Sequence, residues 1–139
     1  MDETLLFVDD GFFRLVKRHF EKQSGRKKLF LQTFRNICKS ENLILNHLFF
    51  YSAPPFQSEN SSKKENKLRK DYDQIKKMIE SKRWATFREG RCQRLKIDGE
   101  YVYAQKGVDI LLVIYLMRFE RIFPEIKKII LVACDSDFV

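Results

Sequence analysis

Two short, wholly apolar runs stand at opposite ends of this chain, and each leads into acidic residues. Near the start, Leu5-Leu6-Phe7-Val8 runs directly into Asp9 and Asp10; near the other end, Ile129-Ile130-Leu131-Val132 runs through Ala133 and Cys134 into Asp135-Ser136-Asp137. Runs of this length and content read as short strands. In open parallel sheets, functional sites gather outside the carboxyl ends of the strands, so side chains from distant parts of a sequence meet there. The two runs therefore predict one sheet edge rich in carboxylates, the hard oxygen ligands that a divalent cation prefers.

The residues between the two runs alternate in period. Phe12, Phe13, Leu15, Val16 and Phe20 follow helical spacing from Gly11 to Glu21, and Leu29, Phe30, Phe34 and Ile37 give a second helical face that ends near Ser40. Asn46 to Tyr51 predicts the next strand, which Pro54-Pro55 stops. Gln57 to Asn66 is polar, rich in Ser and Lys, and predicts a mobile loop. From Lys67 to Lys82, the residues Leu68, Tyr72, Ile75, Met78 and Ile79 form an apolar stripe under a basic exterior, which predicts an amphipathic helix. Asp98-Gly99 between Arg94-Leu95-Lys96-Ile97 and Tyr101-Val102-Tyr103 is a two-residue hairpin signal. Gly107 to Glu120 is apolar enough to predict a largely buried helix, and Pro124 ends that region before the final strand. Strands alternating with helices on short links predict an α/β fold with three layers, α/β/α, around a central, mainly parallel sheet, in a single domain over residues 1–139.

At 139 residues and 44% hydrophobic, the chain can bury a core of its own. No apolar run approaches the roughly 20 residues that span a bilayer, and the start lacks a basic region followed by an apolar secretory core. A cytoplasmic protein without a membrane partner is expected. Three cysteines without close pair spacing argue against a disulfide framework or a zinc ribbon, so reduced, mostly buried thiols are expected, with Cys134 a small buried filler.

The net charge of +8 is confined to one segment. Between Lys63 and Lys96 stand 13 Lys or Arg against 5 Asp or Glu, and the rest of the chain has 14 of each. Such a bias fits a polyanion, because Lys and Arg gain affinity by displacing counterions from phosphates; a solvated basic helix explains it equally well. Arg88, Arg91 and Arg94, interleaved with Trp84 and Phe87, are the types that contact the backbone and bases of a single strand, although the two aromatics suit a core just as well. Lys106, just before Gly107, is placed to reach a phosphate or to stand as an exposed lysine at a loop-to-helix junction. His19 and His47 lack a metal-like pairing and read as packed or surface residues. Each acid also has a purely structural reading: Asp109 in the first turn of a helix, and Asp9, Asp10, Asp135 and Asp137 as caps.

Four blocks in order, Leu6-Phe7-Val8-Asp9, then Phe49-Phe50-Tyr51-Ser52-Ala53-Pro54-Pro55, Gln105-Lys106-Gly107-Val108-Asp109 and Asp135-Ser136-Asp137-Phe138-Val139, together resemble the NYN domains of the LabA-like type, within the PIN-like nuclease group. The resemblance implies a Rossmann-like three-layer fold of the PIN-like kind and a site for cutting RNA, single-stranded or structured, with Mg²⁺ or Mn²⁺. Matched by position, Asp9, Asp109, Asp135 and Asp137 are its catalytic and metal-holding acids. Ser136 and Asp10 would stand behind them, Ser136 orienting a ligand by a hydrogen bond. The chain departs from the pattern where Phe12 stands for a usual Asn, Tyr115 for a usual Asp and Asp10 for a usual Gly. The family pattern also continues through another helix and strand, so the edge near Val139 is expected to be uncovered, or completed by a partner subunit or a second copy. The rival expectations are a degenerate module that binds RNA without cutting it and an assembly protein on the same fold.

Overall fold

The computed structural model describes residues 1–24 and 30–134, and of residues 22–24 and 105 the backbone alone. In chain order the elements are β1 (Asp2–Asp9), α1 (Asp10–Ser24), α2 (Phe30–Ser40), β2 (Leu43–Ser52), α3 (Lys63–Glu80), β3 (Ala85–Glu89), β4 (Arg91–Ile97), β5 (Glu100–Lys106), α4 (Val108–Ile122) and β6 (Lys128–Val132). Four strands form a parallel sheet in the order β3-β2-β1-β6, and β4 and β5 form a separate antiparallel ribbon.

The strand order dictates the layers. From β1 through β2 to β3 the chain steps one way across the sheet, then returns past β1 to β6. Right-handed crossovers in opposite directions put their helices on opposite faces. Accordingly α1, α2 and α3 supply Phe13, Phe34, Cys38, Tyr72 and Ile79 to one core with Leu6, Val8, Leu48 and Phe50, while α4 supplies Val108 and Leu112 to a second core with Leu5, Phe7, Phe49 and Tyr51. Alternation along β1 and β2 deals successive side chains to the two cores. The expected three-layer α/β/α architecture is present. Its switch point, where the winding reverses, lies beside the carboxyl end of β1, which is where such sheets place ligands.

The first core is aromatic. Phe34 meets Phe13, Phe30 and Phe50 with ring centres 5.0, 5.2 and 5.8 Å apart, and Phe50 also meets Phe87 at 5.7 Å. On the rim of this layer the Tyr72 hydroxyl donates to Glu89 at 2.5 Å and Lys76 adds an ion pair at 3.1 Å. Those two partners, the Tyr72 hydroxyl foremost, hold the Glu89 carboxyl below its ordinary range.

Three expectations are corrected, and one strand is added. The helix α3 begins at Lys63, inside the segment expected to be a loop, because Ser62 accepts from the Glu65 backbone and Glu65 in turn accepts from the backbone and hydroxyl of Ser58, which ties 58–65 into a capped start. The added strand, β3, occupies Ala85–Glu89 and places Phe87 in the first core with Trp84 packed beside it under Arg35, the core alternative for both aromatics. The helix α4 is not largely buried: Ile110 is 67% and Met117 81% exposed, since a helix lying on one face of a sheet covers a single stripe. Cys134 is exposed, while Cys38 is buried as expected. Among the described residues no helix is long and apolar enough to cross a membrane.

Candidate active site

The strand β1 delivers two adjacent carboxylates to opposite sides of the sheet. Asp9 follows Phe7 on the α4 face, whereas Asp10 follows Val8 to the other face and starts α1. Asp10 is 1% exposed; it accepts a hydrogen bond from the Ser52 hydroxyl at 2.6 Å and an ion pair from Arg14 at 2.7 Å. A buried charge needs such partners, so Asp10 is an anchor that fixes the junction of β1, β2 and α1, and it does not share a face with Asp9.

Asp9 is half-buried, and its carboxylate accepts from the Gly11 backbone at 3.0 Å. Its pKa is raised, first by burial and then by the charge of Asp109. The charge of Asp109 thus reaches Asp9, 100 positions away in the chain. Asp109 is exposed in the first turn of α4, after Gly107, whose left-handed backbone (φ 81°) turns the chain from β5 into the helix without a side-chain cap. Negative charge is favoured at that end of a helix.

The same face carries a cation. Strand register sets Asp9 beside Tyr51 and Tyr51 beside Arg88, so Arg88 stands roughly 10 Å from Asp9 across two strand spacings. Arg88 donates to the Tyr115 hydroxyl, and its guanidinium lies 4.9 Å from the Tyr115 ring centre. Tyr115 in turn packs on Phe49 and Tyr51, at 5.4 and 6.2 Å between ring centres. Tyr51 is fully buried and its hydroxyl has no hydrogen-bond partner; burial pushes that hydroxyl far up, with Tyr115 adding to the shift and Arg88 opposing it. Where the resemblance has an acid, Tyr115 therefore tethers an arginine. Phe12 is half-buried and lends only its backbone N–H to Asp9.

Arg91 and Lys106 pair at the base of the ribbon, next to the start of α4, and Arg94 lies further along it between the rings of Phe56 and Tyr101. The basic segment does not line one groove. Its α3 portion packs on the Asp10 face, and only Arg88 and the ribbon reach the side or the edge where Asp9 stands. Asp135, Ser136 and Asp137 lie outside the described residues. Among the described residues no group of three or more His, Cys, Asp or Glu is arranged to hold a metal, so Asp9 and Asp109 form the described part of the predicted cluster. Tyr51 and Tyr115 were missed from sequence as the support of Arg88, because their meeting depends on strand register and on the face that α4 turns to the sheet.

A close contact fixes this geometry. Gly90 donates its backbone N–H to Ser52 at 2.8 Å, and a Cβ placed on it would lie 2.5 Å from the Lys106 carbonyl and 2.8 Å from the Val108 side chain. Gly90→Ala is expected to cost about 1–3 kcal/mol by overpacking and to push the first turn of α4, with Asp109, away from Asp9. Urea denaturation checks this; an unchanged midpoint would show that the ribbon base yields freely.

No protein-family model matches this chain, and neither a curated protein nor a solved structure does.

Proposed function

We propose that the chain is a cytoplasmic, metal-dependent ribonuclease of the NYN, PIN-like kind, hydrolysing RNA phosphodiester bonds at Asp9, Asp109, Asp135 and Asp137. The observation that supports this reading is the half-buried Asp9 at the carboxyl end of β1, whose carboxyl is raised first by burial and then by the charge of Asp109, on the face where Arg88 stands. A partly buried carboxylate that feels a second one is disfavoured in its charged form, and a divalent cation would favour that form. The donors are hard oxygens, which suit Mg²⁺ or Mn²⁺. When bound, such a cation polarises a phosphate and lowers the pKa of a water molecule. Asp9 and Asp109 hold the cation's side of the site. Arg88, kept in place by Tyr115, neutralises non-bridging phosphate oxygens, and Lys106 and Arg91 hold the neighbouring backbone at the ribbon base.

A second reading has its own support. The Tyr115 hydroxyl is engaged by Arg88 and the Phe12 side chain carries no ligand atom, so two positions that the resemblance fills with polar groups are filled otherwise. A module that binds RNA without cutting it would tolerate both. The test is cleavage of an end-labelled, mixed-sequence RNA with Mn²⁺, with Mg²⁺ and with a chelator. Metal-dependent cutting supports the nuclease; retained RNA binding with no cutting under any metal supports the module.

A further inference from the structure

We propose that one face of the β4–β5 ribbon, formed by Arg94, Lys96, Tyr101 and Tyr103 with Phe56 beside it, is a stacking platform for unpaired nucleotides. It makes single-stranded RNA, rather than duplex, the substrate class. This inference rests on the ribonuclease reading above and names what that site is fed.

The ribbon's register sorts its side chains. Arg94 stands opposite Tyr103 and Lys96 opposite Tyr101, so these four share one face, while Leu95, Ile97 and Val102 share the other. The turn at Asp98 and Gly99, with φ of 50° and 83°, is the kind that closes a two-residue hairpin and pins this register. Tyr101 and Tyr103 are each 55% exposed. A two-stranded ribbon has no core of its own, so packing leaves these rings half unused. Arg94 lies 4.5 Å from the centre of the Phe56 ring and 4.2 Å from that of Tyr101, and Phe56 meets Tyr103 at 5.7 Å. Rings and guanidinium are thus assembled in advance into a surface of alternating π faces and positive charge.

That combination selects its occupant. Stacking on aromatic faces needs bases that are not already stacked in a helix, and flanking cations need phosphates; a single strand offers both. In an A-form duplex the bases are enclosed and the major groove is too narrow to admit side chains. An apolar protein surface would find two cations among these four side chains, and the strand residues of this face include no carboxylate. The ribbon also leads to the site along the chain, because its last residue, Lys106, is joined through Gly107 and Val108 to Asp109. The platform pairs, from Arg94 with Tyr103 to Lys96 with Tyr101, span roughly 7 Å, room for about two or three stacked bases at ~3.4 Å each.

The test measures fluorescence anisotropy, in chelator, of a labelled 12-nucleotide unpaired RNA and of its 12-base-pair duplex. It compares the wild-type chain with Tyr101→Leu/Tyr103→Leu, with Tyr101→Phe/Tyr103→Phe and, on the opposite face, with Val102→Thr. Leucine keeps the cross-strand bulk and removes the π face. The wild-type chain is expected to prefer the unpaired RNA, the Leu pair to lose at least about tenfold in affinity for it alone, and the Phe pair and Val102→Thr to bind as before. Equal affinity for the two RNAs, a Leu pair that binds like wild type, or a Phe pair that loses as much as the Leu pair would each overturn the platform. Cleavage with Mn²⁺ separates the two readings. Cutting by the wild type together with an unaffected Leu pair removes the platform and leaves the nuclease; a ribbon-dependent affinity for unpaired RNA with no cutting under any metal removes the nuclease and leaves the platform.

Discussion

Asp9→Asn is expected to lower RNA cleavage by roughly 10²–10³-fold, the scale on which one electrostatic group at a reacting centre acts, while raising the stability of the metal-free protein at neutral pH. The first effect comes from removing a charged oxygen ligand from the proposed cation site, and the second from the raised pKa of Asp9, caused first by burial. A carboxyl whose pKa is higher in the folded chain than the ordinary 3.8 is destabilising when ionised. The penalty is absent below the unfolded value, grows as pH rises toward the folded one and is complete above it. Asparagine keeps an oxygen for the Gly11 backbone and removes the charge. Urea midpoints should therefore favour the variant at pH 7, and the difference should vanish below the ordinary carboxyl range. Mn²⁺ should raise the melting temperature of the wild-type chain, since a ligand that binds only the folded state stabilises it, and should do so less for the variant. Cleavage by the variant at the wild-type rate would remove Asp9 from the site.

Phe50→Ala is expected to be the most damaging single change to the fold, at about 3–5 kcal/mol. Phe50 is fully buried at the centre of the sheet and its ring meets those of Phe30, Phe34 and Phe87. Three helices lean on that cluster, from α1 through α3, so the cavity has no single neighbour able to fill it. Against a typical stability of about 5–15 kcal/mol, such a loss removes a large share and, at the low end of that range, leaves the chain near half-unfolded. A shift of the urea midpoint smaller than about 1 kcal/mol, at constant slope, would mean that the aromatic core repacks.

Three strands of the sheet were legible from their apolar runs, at 5–8, 48–51 and 129–132, and the helices from their regular stripes. The strand β3 was hidden: Ala85-Thr86-Phe87-Arg88-Glu89 has one strong apolar residue in five positions, and it forms a strand because Phe87 docks beneath Tyr72 and Phe50. That is a tertiary contact, which no local pattern carries. Of the proposed site, Asp9 and Asp109 were named by position, and in the folded chain the charge of Asp109 raises the Asp9 carboxyl. The tether of Arg88 by Tyr115 was not, because it depends on which face α4 presents to the sheet. The hairpin was read from Asp98-Gly99 alone, yet the sorting of its side chains into a charged aromatic face and an apolar one needs the pairing of Arg94 with Tyr103.

Asp9 and Asp10 share a peptide bond, and that bond works as a pivot through the thickness of the sheet. Ser52 and Arg14 hold one arm of it; Asp109 senses the other. Loosening Ser52 or Arg14 would swing the Asp9 arm although neither residue lies on its side, and a misplacement of about 1 Å at a reacting centre can cost ~10²-fold. Under the ribonuclease reading proposed above, a random screen for variants that fold but no longer cut is expected to return hits at Ser52 and Arg14, on the opposite face of the sheet from Asp9.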